Sequence, residues 1–302
     1  MFETNNTFRV GRYRLDAIPE FEGARMPPAA MFTKAAPDHL DRLLDRGPPE
    51  SYDRSRKVLC TSVHSWLVRD DNGLVMLIDT CFGNFKNRMP SHPMFHMQKN
   101  DWLAKLTALG VEPQDVTHVV NTHLHLDHVG WNTRLVDSVW TPTFSRARHI
   151  MPRLEAELAL SGGLMRHEAN ERSIADSVRP IIDAGLTDFA DPYATIAPDM
   201  KLIPCYGHSQ GMLLVEISGE PGAIVGGDPL HHPLQMLDPD VNTGFCEQPE
   251  KAASSRRDFL ARCSDEGLII APTHFFAPRF SKVKRIEGGF DLAPISQASI
   301  LT

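Results

Sequence analysis

Hydrophobic and polar positions alternate loosely over residues 10–18 and predict a strand there. Two further strands are read at 57–69 and 74–79, joined by Asp71-Asn72-Gly73, whose Asn-Gly pair favours tight hairpins. Residues 99–109 carry Trp102, Leu103, Leu106 and Leu109 at helical spacing, and Gly110 is placed to stop that helix. Val116–Asn121 is a short β-branched run of the buried-strand kind. Helical pattern returns near 151–160 and 168–178, followed by strands at about 200–205, 212–218 and 222–227. A helix at 250–264 and a strand at 267–271 complete the pattern. The stretch 20–56, rich in Pro, Arg and Asp, reads as an irregular excursion with one short helix near 38–45. This order suits two sheets faced by helices, although pattern alone fits other α/β layouts as well. No linker, repeat or low-complexity segment interrupts it, so residues 1–302 are read as one domain.

Composition narrows the function classes. A 42% hydrophobic and 23% charged chain can bury a large core without disulfides. Its 31 Lys and Arg against 38 Asp and Glu give a net charge of −7, which argues against a nucleic-acid partner. No run reaches the roughly 18 apolar residues of a membrane span. Met1–Asn6 lacks the basic start and apolar core of a signal peptide. Five cysteines without Cys-x-x-Cys spacing suit a reducing compartment, and the expectation is a cytoplasmic enzyme.

The chemistry concentrates in Thr122-His123-Leu124-His125-Leu126-Asp127-His128-Val129-Gly130, directly after the strand ending at Asn121. In extended backbone, residues two apart point the same way, so His123 and His125 project together and Leu124 and Leu126 turn into the core. A turn at Asp127 and His128 brings further donors round. Imidazoles with a carboxylate suit Zn²⁺ better than Mg²⁺ or Ca²⁺.

His-x-His-x-Asp-His after a buried strand resembles the metallo-β-lactamase superfamily. The later elements of that pattern follow in order: Gly207-His208-Ser209, Gly226-Gly227-Asp228 and Pro272-Thr273-His274, with Asp79 in Leu77-Ile78-Asp79-Thr80 as an early supporting Asp. The resemblance covers roughly residues 57–280. It implies an α/β fold, an αβ/βα four-layer sandwich with the metal site at one edge between two mixed sheets. It implies one zinc held by His123, His125 and His208, and a second by Asp127, His128 and His274, with Asp228 between them. Mn, Co or Fe could replace zinc on the same ligands.

The activity implied is hydrolysis by a hydroxide bridging two metals about 3.5–4 Å apart, with Asp127 shuttling the proton. The ligand set is similar to that of acyl-homoserine lactone lactonases and related aryl-ester and organophosphate hydrolases. The expectation is therefore a small-molecule lactone or carboxylic ester as substrate. Phosphotriester hydrolysis is the alternative, and a non-catalytic ligand-sensing protein a more distant one. Asp228 speaks against true β-lactamases of the best-known class, which lack the bridging Asp and use a Cys at the second metal, and His125 against redox di-iron relatives, which typically carry Glu in place of the second His. One departure stands out: several lactonases carry Tyr three residues after the bridging Asp, where this chain has His231 and then His232. His231 could donate the same hydrogen bond to a substrate carbonyl, or be packed polar structure.

Loops at 20–56, 81–98 and after Asp228 are the expected substrate walls. Phe82, Phe85, Met89, Phe95, Trp131 and Met236 are the pocket candidates, with Met26, Met31, Met94 and Phe245 as further members. His92 and His96 read as surface histidines, and Arg25, Lys86 and Arg88 as solvated charges. The arm before residue 57 could serve as a substrate lid or pack on a second subunit, giving a homodimer.

Overall fold

The computed structural model describes residues 6–162 and 168–295, which leaves the Met1–Asn5 part of the leader assessment outside the described residues. Strands Thr7–Val10, Tyr13–Met26, Val58–Arg69, Val75–Ile78, His118–Val120, Arg148–Pro152 and Thr187–Ala190 lie side by side in chain order. Tyr52–Asp53 pairs along Val58–Arg69 and makes this an eight-stranded sheet. The second sheet has seven strands, again in chain order: Thr195–Ala197, Met200–Pro204, Leu213–Ile217, Ala223–Val225, Ile269–Ala271, Ser281–Ile286 and Gly289–Ala293. Both sheets are mixed. Val75–Ile78, His118–Val120, Arg148–Pro152 and Thr187–Ala190 are parallel neighbours, as are Ala223–Val225 and Ile269–Ala271.

Side-chain alternation explains the layers. From one sheet Trp66, Val68, Ile78 and Val120 meet Leu213, Val215, Val225 and Ile269 from the other, forming the inner core. The intervening Leu67, Leu77 and Val119 point outward under Trp102 and Leu106 of helix Trp102–Ala108. On the far side Leu214, Ile224 and Ile270 are covered by Phe259, Leu260 and Cys263 of helix Pro249–Asp265. The result is helix, sheet, sheet, helix, as the resemblance implies.

Several elements differ from the sequence reading. Strand Tyr13–Met26 takes the first part of the 20–56 excursion into the sheet. It does so with two register shifts against Val58–Arg69: Pro19 and Phe21 face the adjacent His64 and Val63, leaving Glu20 as the extra residue, and Ala24 and Met26 face Cys60 and Leu59, leaving Arg25. The rest of the arm holds helix Pro37–Arg46, whose Leu40, Leu43 and Leu44 pack with Leu234 and Leu237 of the same chain. The helical pattern at 168–178 resolves into Glu168–Ser173 followed by a π-type turn, Ile174–Val178. Residues 151–152 belong to strand Arg148–Pro152, and helix begins only at Arg153. A hairpin, Thr133–Val136 with Val139–Pro142, turns through Asp137 and Ser138 at positive φ, a turn that Asp-Ser does not advertise. Among the described residues, no helix is long and apolar enough to cross a membrane.

Candidate metal centre

The metal-type side chains sit on loops leaving the carboxyl ends of strands. Asp79 follows Val75–Ile78 with φ +59°, and its carboxylate accepts hydrogen bonds from Thr122 N at 2.8 Å and Thr122 Oγ1 at 2.9 Å. The carbonyl of His128 accepts from Thr80 N at 2.8 Å and Asn121 Nδ2 at 2.8 Å. These bonds fold the His-x-His-x-Asp-His segment back over the strand ends. Leu124 enters the core beside Val129 and Met151, whereas Leu126 lies against Phe82 on a cavity wall. His208 is set by Gly207, whose φ is +120° and where a Cβ would stand 2.2 Å from Ala252 N, so only glycine lets helix Pro249–Asp265 approach.

All seven predicted ligand positions converge. His208 Nε2 is 3.1 Å from His123 Nε2 and 2.9 Å from His125 Nδ1, and these three form one potential cation group. Asp127, His128 and His274 form another, with His128 Nε2 3.7 Å and His274 Nε2 3.6 Å from the Asp127 carboxylate. Asp228 stands between them, 3.3 Å from His128, 3.2 Å from His208 and 3.1 Å from His274. His231 Nε2 is also 3.1 Å from Asp228, and its ring stacks on His274 at 5.3 Å.

Burial drives His123 and His208 well below the ordinary histidine pKa, so both are neutral and their lone pairs are available. Burial opposes charge on His128 too, but Asp228, Asp79 and Asp127 outweigh it and hold that ring well above the ordinary value. For Asp228, burial is overcome by His128, His274, His208 and His231, which hold the carboxyl well below its usual range.

The donor set fits a cation. Both ring nitrogens of His128 and of His231, and Oδ1 of Asp228, are buried without a properly directed hydrogen bond. The Asp79 carboxylate lies 2.9 Å from His128 Nδ1 but off the angle a hydrogen bond needs. Orphaned buried polar atoms are costly, and so many converging on one point fit imidazole- and carboxylate-liganded metals such as zinc. Sequence reading missed Glu247, whose Oε1 lies 3.3 Å from His125 Nε2. Such a carboxylate fixes the tautomer that leaves Nδ1 facing the cluster. Nothing in its local sequence marks it.

A cavity opens over Asp127, Asp228, His231 and His274. Of the pocket candidates, Phe82 and Phe95 line it, stacked at 3.8 Å with Phe21 edge-on to both. Met26, Met31, Met94 and Phe245 line it as well. The other four candidates are corrected. Trp131 is in the core against Trp102, its Nε1 donating to Glu20 at 2.7 Å. Met236 is buried between the second sheet and its helix. Phe85 and Met89 are exposed outside the cavity, because positive φ at Asp79, Cys81, Gly83 and Phe85 winds the segment and turns them outward.

The solvated-charge reading of Lys86 and Arg88 is also corrected. Both are fully buried around Asp176: Arg88 pairs with it at 2.6 Å, and Lys86 Nζ donates to Thr133 Oγ1 at 2.6 Å while lying 3.7 Å over the Trp140 ring. Burial pushes Lys86 down to about 7 against the attraction of Asp176. His92 and Arg25 lie on the cavity wall, whereas His96 turns away to the Arg88 backbone.

Residues 58–274 match the Metallo-beta-lactamase superfamily, and the chain belongs to it. It is 33% identical over 115 residues to the N-acyl homoserine lactonase AttM of Azorhizobium caulinodans, a stretch covering 36% of this chain and 38% of that protein. It is 28% identical over 181 residues to a probable metallo-hydrolase of Mycobacterium tuberculosis, covering 56% of this chain and 57% of that one. The matched stretches thus span between about a third and three fifths of these relatives. Among solved structures, the hydrolase AbOPH of the beta lactamase superfamily superposes with a TM-score of 0.78 at 20% identity, covering 98% of this chain and 99% of that one. AidC, a dizinc quorum-quenching lactonase, superposes with a TM-score of 0.76 at 18% identity, covering 98% and 97%. At these identities the superpositions speak for the fold.

Proposed function

We propose that this protein is a metal-dependent hydrolase that opens lactones or cleaves carboxylic esters. The observation that carries the reading is the position of Asp228: at the floor of an apolar cavity, within hydrogen-bonding range of His208, His231 and His274 and between two groups that each offer three metal donors. His123, His125 and His208 would hold one ion, Asp127, His128 and His274 the other, and Asp228 both. When bound, a zinc-type pair supplies a water acidified towards neutral pH and polarisation of the carbonyl oxygen. Asp127, partly exposed at the cavity floor, is placed to hold a proton and pass it to the leaving oxygen. His231, kept neutral by burial despite Asp228, faces the same space and would donate to the substrate carbonyl. The stacked Phe82 and Phe95 exclude water and receive the acyl or aromatic part. The relatives' names, lactonase and metallo-hydrolase, support this reading.

All five cysteines are free and buried, which supports work in a reducing compartment such as the cytoplasm. The test is a hydrolysis panel on zinc-reconstituted protein: acyl-homoserine lactones, simple lactones, aryl esters and a phosphotriester. Turnover of lactones or carboxylic esters that disappears on chelation supports the reading. Turnover of the phosphotriester alone would move the chemistry to phosphorus, and no turnover at all would refute the proposal.

A further inference from the structure

The strand Tyr13–Met26 contributes two neighbouring side chains, Arg25 and Met26, to the same cavity. In a regular strand consecutive side chains point to opposite faces. The register is irregular between Ala24 and Met26: Arg25 is the residue with no partner there, and such bulges re-aim side chains beside active sites. A guanidinium is thereby brought to the wall of a cavity whose other walls are mainly Phe and Met.

Arg25 lines the cavity while remaining exposed to solvent, and its side chain has no carboxylate in hydrogen-bonding contact among the described residues. Its guanidinium lies 5.0 Å over the Phe21 ring, and Nη2 donates to the carbonyl of Glu22 at 3.3 Å. Among the described residues it forms no ion pair. The carboxylate nearest in sequence, Glu22, attracts Arg25 from a distance but forms its ion pair with the buried Arg279. An arginine already stacked on an aromatic ring loses little side-chain freedom when it pairs with an anion, and its planar fork suits a carboxylate.

We propose that Arg25 is a specificity residue and that the substrate is a lactone or ester whose far end carries a carboxylate, reaching Arg25 across the Phe82–Phe95 wall. This rests on the hydrolase reading above and narrows its substrate class. The test uses zinc-reconstituted wild type and Arg25→Gln with a matched pair, N-adipoyl- and N-hexanoyl-homoserine lactone, which differ only in a terminal carboxylate against a methyl. Wild type is expected to favour the carboxylate. In Arg25→Gln the ratio of the two kcat/KM values should fall tenfold or more, chiefly through KM, and Arg25→Lys should recover part of it. A ratio unchanged within twofold overturns the proposal.

The two readings fail separately because binding is measured alongside. Calorimetry with the corresponding γ-lactams, inert to ring opening, reports charge recognition without turnover. If neither lactone is opened, yet wild type binds the carboxylate lactam at least tenfold more tightly and Arg25→Gln abolishes the difference, the specificity inference stands and the hydrolytic reading falls. Equal binding of both lactams by wild type overturns the inference whatever the turnover.

Discussion

The floor and the walls of the cavity are built on different principles. On the floor, His123, His208, Asp228 and His274 each lie three or four residues beyond the end of a strand, at 120, 204, 225 and 271. Two edges of regular backbone, packed together by an apolar core, bring them to one point. The walls come from irregular backbone: a strand with two register shifts, a segment wound through positive φ, and a single turn at Pro93–Phe95. What fixes the walls is buried charge. Glu20, the extra residue at the first shift, accepts from Phe82 N, Gly83 N, Asn100 Nδ2 and Trp131 Nε1, the longest of these bonds 3.1 Å. Asp176 anchors Lys86 and Arg88 in the same segment. Repetitive hydrogen bonding thus positions the chemistry, and a few polar struts shape the space around it.

The contrast breaks most sharply at Asp228. Asp228→Ala should lower bound metal, read by elemental analysis, and reduce hydrolysis at least about a thousandfold, as loss of a central electrostatic group does, while the circular dichroism spectrum stays native. Full activity in that variant would dissolve the role given to the floor. On the wall side, Asp176→Asn leaves Lys86 and Arg88 buried without their carboxylate, which should cost about 3–5 kcal/mol in urea unfolding. A loss below about 1 kcal/mol would mean the strut is incidental.

Gly130 marks where floor and wall touch: a Cβ there would stand 1.9 Å from the carbonyl carbon of Phe82. Because backbone, not a flexible tip, must move, Gly130→Ala should destabilise by about 1–3 kcal/mol and raise KM as Phe82 shifts. A smaller effect belongs to Glu20, whose pKa burial raises from 4.5 to about 6 despite its four donors. The folded state therefore holds this proton more tightly than the unfolded chain does. Its contribution is complete below pH 4.5 and is lost as the pH rises through 6, a change of about 2 kcal/mol. Subtracting the Tm profile of Glu20→Gln from that of wild type should isolate a decline across that window, and a flat difference would contradict the burial assigned to Glu20.

The same contrast governs what the sequence discloses. The floor is legible because spacing of two in extended backbone places His123 and His125 together, and because His208, Asp228 and His274 each follow a strand readable by pattern. Helix Pro249–Asp265 and strand Val58–Arg69 are equally plain from periodicity. The walls resist reading, since hydrophobicity does not separate a cavity face from a core. Trp131 and Met236 are as apolar as Phe82 and Phe95, and only tertiary packing sends the first two inward. Charge misleads in the same way: Lys86 and Arg88 look solvated until Asp176, about ninety residues on, makes their burial tolerable. Glu247 reaches His125 across 122 positions and leaves no local mark.

Each large sheet is drawn from one uninterrupted length of chain, the first ending at Ala190 and the second beginning at Thr195. A single cut between those residues would therefore divide the molecule into two pieces that each keep a whole sheet. One piece would own His123, His125, Asp127 and His128, and the other His208, Asp228 and His274. On the proposed assignment neither would catalyse alone, so recovered turnover on mixing would serve as a direct meter of how well two independently made halves find one another.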